Sequence, residues 1–212
     1  MLSCGYFLYA NPSTTVVTVL AGAPEIFHEG YNSKTTGKPY APDAISVRRD
    51  EDRKAVEYLG ATPVWLDLLD ADYGEYRPPR DYVDVIHDEI ARVLDETRPA
   101  SIFAPLGLMH SDHLAVSDAC IELAVNSPVA WYLYMDLPYG LANRRVLLKR
   151  LAKLSQHVQL VEFDSFDGEH GIKERAVRLY ASQYDPTRRN FRKSFDATMR
   201  GGERFWRVET LS

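Results

Sequence analysis

The stretch Ser101-Ile-Phe-Ala-Pro-Leu-Gly-Leu-Met109 runs directly into His110-Ser-Asp-His113 and then into Leu114-Ala-Val-Ser-Asp-Ala-Cys-Ile-Glu-Leu-Ala-Val125. A short apolar run, strand-like in length, ends in a polar tetrapeptide, and a helical pattern begins on its far side. Strand, tight loop and helix form the unit from which open α/β sheets are built, and such sheets place ligands beyond the carboxyl ends of their strands. Two imidazoles and a carboxylate stand at that place. Imidazole is the commonest metal ligand and a frequent general acid or base.

Outward from this unit, helices and strands alternate. Ser3 to Tyr9 is short, apolar and stopped by Asn11-Pro12, which predicts a helix; Thr14 to Leu20 is β-branched, which predicts a strand. Ala21 to Asp43 is rich in Gly, Pro, Ser, Thr and Asn, and irregular segments of that length usually serve a function or move. Ser46 to Leu59 reads as a helix closed by Gly60, Thr62 to Asp67 as a strand, and Leu68 to Arg80 as a polar loop. Tyr82, Val83, Ile86, Ile90, Val93 and Leu94 recur at helical spacing, so Asp81 to Thr97 is predicted as an amphipathic helix, and Asp112 to Val125 as the next one. There follow a buried strand Val129 to Tyr134, a helix Arg144 to Leu154 with a basic face, a strand His157 to Phe163, helices Gly168 to Tyr184 and Arg188 to Met199, a Gly201-Gly202 turn and a last strand Glu203 to Leu211. No repeat or interdomain linker interrupts this order. The expectation is one domain over residues 1–212, a three-layer α/β/α fold around a mostly parallel, Rossmann-like sheet. A doubly wound domain opens on its central strand. This chain opens on a helix, as if the first strand were missing.

Composition narrows the function. The chain has 212 residues, a net charge of -5 and a pI near 5.7, with no basic stripe to neutralise phosphates, so nucleic-acid binding is not expected. Cys4 and Cys120 make no disulfide framework and lack metal-type spacing, which reads as free thiols in a reducing cytoplasm. No apolar run reaches the length of a membrane span, and Met1-Leu-Ser-Cys-Gly5 has no signal-peptide character. The 13 tyrosines and 3 tryptophans lead us to expect an aromatic-walled cleft or rim. No Walker loop, Gly-x-Gly-x-x-Gly, His-Glu-x-x-His or Gly-x-Ser-x-Gly is present, which removes the main support for nucleotide-dependent and serine hydrolase chemistry.

The histidine box has two readings. His113 can face a metal while Asp112 or a backbone group orients its ring, the usual arrangement for ligating histidines. Alternatively Ser111 is a helix N-cap and both histidines are surface residues. One histidine cannot hold zinc, because catalytic zinc takes three protein ligands and a water. Other candidates are poorer. His28 and Glu29 lie in the long loop, His170 opens an acidic helix start, and His87 and His157 read as structural. Arg48-Arg-Asp-Glu-Asp-Arg-Lys54 reads mainly as a solvated helix face with i,i+3 and i,i+4 pairs, although Arg48 or Arg49 is able to turn toward a cleft. Asp67, Asp70 and Asp72 lie at the outlet of the second strand, where carboxylates commonly bind sugar hydroxyls and where a polar turn is equally expected.

Several segments together resemble the LmbE-like, or PIG-L, N-deacetylases, zinc enzymes that remove acetyl groups from N-acetylglucosaminyl compounds. His110-Ser-Asp-His113 is similar to the family's His-Pro-Asp-His box, and Arg48-x-x-Glu51 with Leu59-Gly60 to its Arg-x-x-Glu helix. Leu2-Ser-Cys-Gly5 and Thr15 to Pro24 look like its first helix and second strand. Tyr134-Met-Asp-Leu-Pro138, Lys173 with Tyr180-Ala-Ser-Gln183, and Glu203-Arg-Phe-Trp206 resemble later segments. The resemblance implies that His113 is a zinc ligand, that His110 stabilises the tetrahedral intermediate and protonates the leaving amine, and that Arg48 and Asp70 contact the sugar. It also implies a small N-acetyl sugar conjugate as substrate.

The family carries its remaining ligands and its catalytic Asp in a His-x-x-Asp-Asp run just before the Leu-Ser-Cys-Gly-like stretch, and that run is absent here. Leu108 also stands where some members present a Tyr. Three explanations are open. The protein extends upstream of Met1, which the family character from residue 2 onward favours. It is a natural truncation that folds without the first strand. Or it uses replacement ligands such as His28 or Glu29. Two functional expectations follow: a zinc-dependent N-deacetylase, or a non-catalytic sugar- or nucleotide-sugar-binding relative.

Overall fold

The computed structural model describes residues 2–24, 43–70, 80–125, 127–166, 168, 170–183, 195–199 and 201–211. In chain order the elements are α1 (Gly5–Ala10), β1 (Thr15–Thr18), α2 (Ala44–Tyr58), β2 (Thr62–Trp65), α3 (Arg80–Thr97), β3 (Ser101–Pro105), α4 (Ser111–Val125), β4 (Ala130–Tyr134), α5 (Tyr139–Ala142), α6 (Arg144–Leu154), β5 (Val158–Phe166), α7 (His170–Arg178) and β6 (Glu203–Thr210). Residues 195–199 are also helical. The chain opens on a helix, as expected. The chain divides into two units, Met1–Tyr76 with Gly168–Arg200, and Arg77–Asp167 with Gly201–Ser212.

In the first unit β1 and β2 pair in parallel, Thr15 opposite Thr62 and Thr18 opposite Trp65, with α2 as the crossover. Ala55, Val56 and Leu59 bury one stripe of this helix, which packs on β2. Gly60, at φ +79, closes α2 in the left-handed conformation that a residue with a Cβ resists. Tyr6, Phe7 and Leu8 bury α1, which packs on α7. Contact there is close, since a Cβ on Gly5 would lie 2.9 Å from Cγ of Lys173.

The second unit holds a four-stranded sheet in the order β3-β4-β6-β5. Helix α4 crosses over between the parallel strands β3 and β4 and lies on β3 and β6, α3 packs on α4, and α6 lies on β5. Trp131, Leu133, Val158 and Trp206 are buried in the sheet, with Ile86 from α3 and Ala119 from α4 also in the core. Phe103 stacks on its cross-strand partner Tyr132 at 4.7 Å between centroids, and Phe163 meets Tyr132 edge-on at 5.4 Å.

The α/β architecture agrees with the sequence. The parallel arrangement expected for most of the sheet holds for β1–β2 and β3–β4, where a helix links the strands, but β6 runs antiparallel to both β4 and β5. Strand direction depends on the path of the intervening chain, and the local pattern does not carry it. Helix α7 ends at Arg178, short of the predicted Tyr184, and α5 was not predicted. Among the described residues no helix is long and apolar enough to cross a membrane.

Candidate active site

The loop after β3 is tied down from three sides. Leu106 donates its amide to the Tyr134 carbonyl (2.9 Å), and its own carbonyl accepts from Ser117 Oγ and Arg150 Nε, both at 2.9 Å. The Arg150 guanidinium is buried and also donates to Ser117 Oγ (2.9 Å) and Asp118 Oδ1 (2.6 Å). Gly107 follows at φ +83, and its amide donates to Asp136 Oδ2 at 2.8 Å. A Cβ at Gly107 would lie 2.7 Å from Cβ of Ser117 and 3.0 Å from Arg150 Nη2. Gly107→Ala therefore combines a strained φ with a steric clash and is expected to cost about 2–4 kcal/mol, seen as a Tm lower by roughly 5–15 °C. An unchanged melting temperature would contradict this packing.

His113 sits in the first turn of α4, with its side chain 40 % exposed, and its Nδ1 lies 2.5 Å from Oδ1 of Asp136, whose side chain is fully buried. An ionised carboxylate can only accept, so Nδ1–H donates to Asp136 and the lone pair is left on Nε2 of a side chain that is partly exposed. This is the arrangement in which a carboxylate orients a ligating histidine. The sequence reading gave that role to Asp112 or a backbone group. The structure assigns it to Asp136, at the carboxyl end of the neighbouring strand β4 and 23 residues away. Asp112 is turned to His110 instead.

His110 begins α4. Its carbonyl accepts the amide of Leu114 (3.1 Å), and its Nδ1 accepts a long bond from the Asp112 amide (3.4 Å). His110, rather than Ser111, thus occupies the N-cap position, and Ser111 is already helical. The residue before it, Met109, has φ +62, and the His110 amide reaches back to the Leu108 carbonyl at 2.7 Å in a strained γ-turn. Strain of this kind persists where the surroundings over-determine the backbone. Here the buried anchors at Leu106, Gly107 and Leu108 precede it.

The His110 and His113 rings lie 5.6 Å apart between centroids, tilted by 51°. The Tyr139 ring also meets His113, at 5.6 Å and 74°, edge to face. Tyr139 opens α5, and the next residue, Gly140, lets this turn approach the β4 outlet, since a Cβ there would lie 2.4 Å from Cγ of Met135. Burial raises the Tyr139 phenol above its ordinary pKa, and the Asp136 and Asp112 carboxylates push it further in the same direction.

The sugar-contact candidates lie in the first unit. Arg48 Nη1 is 3.9 Å from Asp70 Oδ2, and both side chains are partly exposed. Arg49 is committed to structure, donating Nε and Nη2 to the Ala21 carbonyl (2.9 and 2.6 Å) and Nη2 to Asp67 (2.5 Å). Asp50 pairs with Arg53 and Lys54, as a solvated helix face should. The next two carboxylates turn inward. Asp52 accepts from Thr18 Oγ1, Trp65 Nε1 and the Tyr180 hydroxyl, and Glu51 accepts from the Ser182 amide and Oγ. His87 faces its neighbour Asp88 on an exposed helix surface, and His157 lies in the turn before β5, consistent with structural roles. His28, Glu29 and Asp72 fall outside the described residues.

Nε2 of His113 is the nitrogen left free for a cation. Among the described residues no cluster of three or more His, Cys, Asp or Glu side chains is placed to hold a metal. The donor chemistry of His113 therefore fits a zinc ligand, but the described residues alone do not complete a zinc site.

Residues 5–124 match the profile of the PIG-L family, described as GlcNAc-PI de-N-acetylase. The chain belongs to the PIG-L family. No curated protein sequence matches it significantly. Among solved structures, a deacetylase of the teicoplanin biosynthesis pathway is 26% identical with a TM-score of 0.80, over 100% of this chain and 94% of that one. The A40926 pseudoaglycone deacetylase is 26% identical with a TM-score of 0.76, over 99% and 91%. The zinc-inhibited form of a teicoplanin deacetylase, at 24% identity, shares the PIG-L fold with a TM-score of 0.75 over 100% and 94%. The box His110–His113 and helix α2 both lie within the matched PIG-L region.

Proposed function

We propose that this chain is an N-deacetylase of N-acetylated sugar conjugates, with glycopeptide-linked N-acetylglucosamine as the first class to test. The observation that carries the reading is the His113–Asp136 pair beside His110 at the strand outlets. The family match and the two deacetylases at 26% identity support it. His113 is the proposed zinc ligand through Nε2. Bound zinc supplies a water acidic enough to ionise near neutral pH.

In the proposed reaction, a water oxygen bonds to the acetyl carbon, the C–N bond breaks, and acetate and a free amine result. His110 is the proposed catalytic acid. In its protonated form the ring pairs Nδ1–H with the Asp112 carboxylate, 3.5 Å away, and the Nε2 proton passes to the leaving nitrogen, which leaves a neutral imidazole. Among the described residues we assign no base for the water proton. Arg48 and Asp70 are proposed to bind sugar hydroxyls. Both cysteines are free thiols, which fits a reducing cytoplasm as the proposed compartment.

The test is amine release from a panel of N-acetylglucosaminides, glycopeptide-linked ones included, together with metal analysis of the purified chain. Deacetylation with about one zinc per chain is expected. No release with any substrate, combined with sugar-induced thermal stabilisation that ignores zinc, would support instead the non-catalytic binding relative.

A further inference from the structure

We propose that the Tyr139 hydroxyl is a catalytic donor, binding the acetyl carbonyl oxygen as negative charge develops on it. This rests on the deacetylase reading of the same site. His113 meets two other rings there, His110 and Tyr139, each at 5.6 Å between centroids. With the leaving amine at His110, the acetyl carbonyl falls to His113, and Tyr139 is the phenol whose ring contacts His113. Tyr139 is half-buried, with part of its surface open to an incoming group. Its hydroxyl lies within electrostatic reach of both Asp136 and Asp112. Neither carboxylate can donate a hydrogen bond when ionised, whereas a phenol can, and its ordinary pKa near 10 keeps the proton in place at neutral pH.

The position of Tyr139 is built. Gly140 allows the α5 turn to close on the β4 outlet, where a Cβ would meet Cγ of Met135 at 2.4 Å and Cδ1 of Leu108 at 3.3 Å. Leu108 and Met135 are both buried, so the turn rests on a fixed floor. A donor held before the substrate arrives stabilises a developing oxyanion without reorganising during reaction. No proton is transferred in this step: the hydroxyl donates while the oxygen is charged, and the carbonyl re-forms as acetate when the C–N bond breaks.

Tyr139→Phe keeps the ring edge against His113 and removes only the oxygen. We expect kcat to fall about 100-fold with KM changed less than about threefold. Affinity for an N-methylphosphonyl glucosamine, a tetrahedral mimic, should fall by a similar factor, while that for N-acetylglucosamine holds. Site-specific 4-aminophenylalanine at position 139 restores an N–H donor and should recover at least tenfold over the Phe variant. That recovery separates a lost donor from a disturbed fold. A Phe variant with wild-type kcat, or a loss that the amino variant leaves unrecovered, overturns the proposal while leaving the deacetylase reading intact. An inactive wild type removes both.

Discussion

His113→Ala is expected to lower kcat/KM for amine release by at least about a thousandfold, because the Lewis-acid contribution of a bound metal is worth several kcal/mol. One ring nitrogen is held by Asp136, which leaves Nε2 as the proposed metal donor. Alanine removes that nitrogen entirely, so zinc per chain should fall with activity. The side chain is 40 % exposed, so its removal opens no core cavity, and the Asp136 carboxylate it leaves can be reached by water. The fold should therefore persist, checked by circular dichroism and a melting curve. Metal content by elemental analysis and initial rates decide the case. A folded variant with undiminished zinc and kcat/KM within tenfold of the parent would show that His113 binds no metal and that the hydrolytic reading of the box is wrong.

Asp136→Asn should also be damaging, although it changes one atom of a fully buried side chain. The carboxylate accepts two bonds at once, from the Gly107 amide and from His113 Nδ1. An asparagine has one acceptor oxygen and one donor nitrogen. If the oxygen keeps the Gly107 amide, the NH₂ group faces Nδ1 and drives the proton to Nε2, the nitrogen that must be bare to bind a cation. Loss of such an orienting partner typically weakens metal binding or activity by about 10–100-fold, and that is the range expected. The isosteric swap costs about 1 kcal/mol of stability, so Tm should fall by only roughly 2–4 °C. Long-range ¹H–¹⁵N spectra of the imidazole report the tautomer directly. A variant that keeps Nε2 unprotonated and wild-type zinc affinity would remove Asp136 from its positioning role.

Much of the fold was legible in the sequence because its signals are local. The β-branched run at Thr15–Thr18, the Gly60 closure and the helical spacing from Tyr82 to Leu94 each sit inside the element they specify. The histidine box was equally legible, since strand, loop and helix are contiguous. What escaped has non-local causes. Asp136 orients His113 across 23 residues, and only the parallel pairing of β3 with β4 makes them neighbours. Arg150 read as part of a basic helix face, yet it is buried against the Leu106 carbonyl and Ser117. Helix α5 has four residues, too few to show a period, so Tyr139 gave no signal. Met109 adopts positive φ without being Gly, Asn or Asp, and no turn chemistry announced it. The antiparallel setting of β6 likewise belongs to topology rather than to any window of sequence.

The alignment of β3 with β4, Pro105 opposite Tyr134, carries a consequence away from the site. Gly107 and Asp136 each lie two positions past that last pair, so the carboxylate meets the amide because the strands are in step. A slip of one residue would move one strand end by about 3.3 Å along the other and turn its side chains to the opposite face. The hydrogen bond that steadies the imidazole would not survive it. In that register Ile102 stands beside Trp131 and Ala104 beside Leu133, and burial of these largely apolar side chains favours it. Hydrocarbon one or two turns of the pleat below the reacting groups thus fixes the protonation pattern above them.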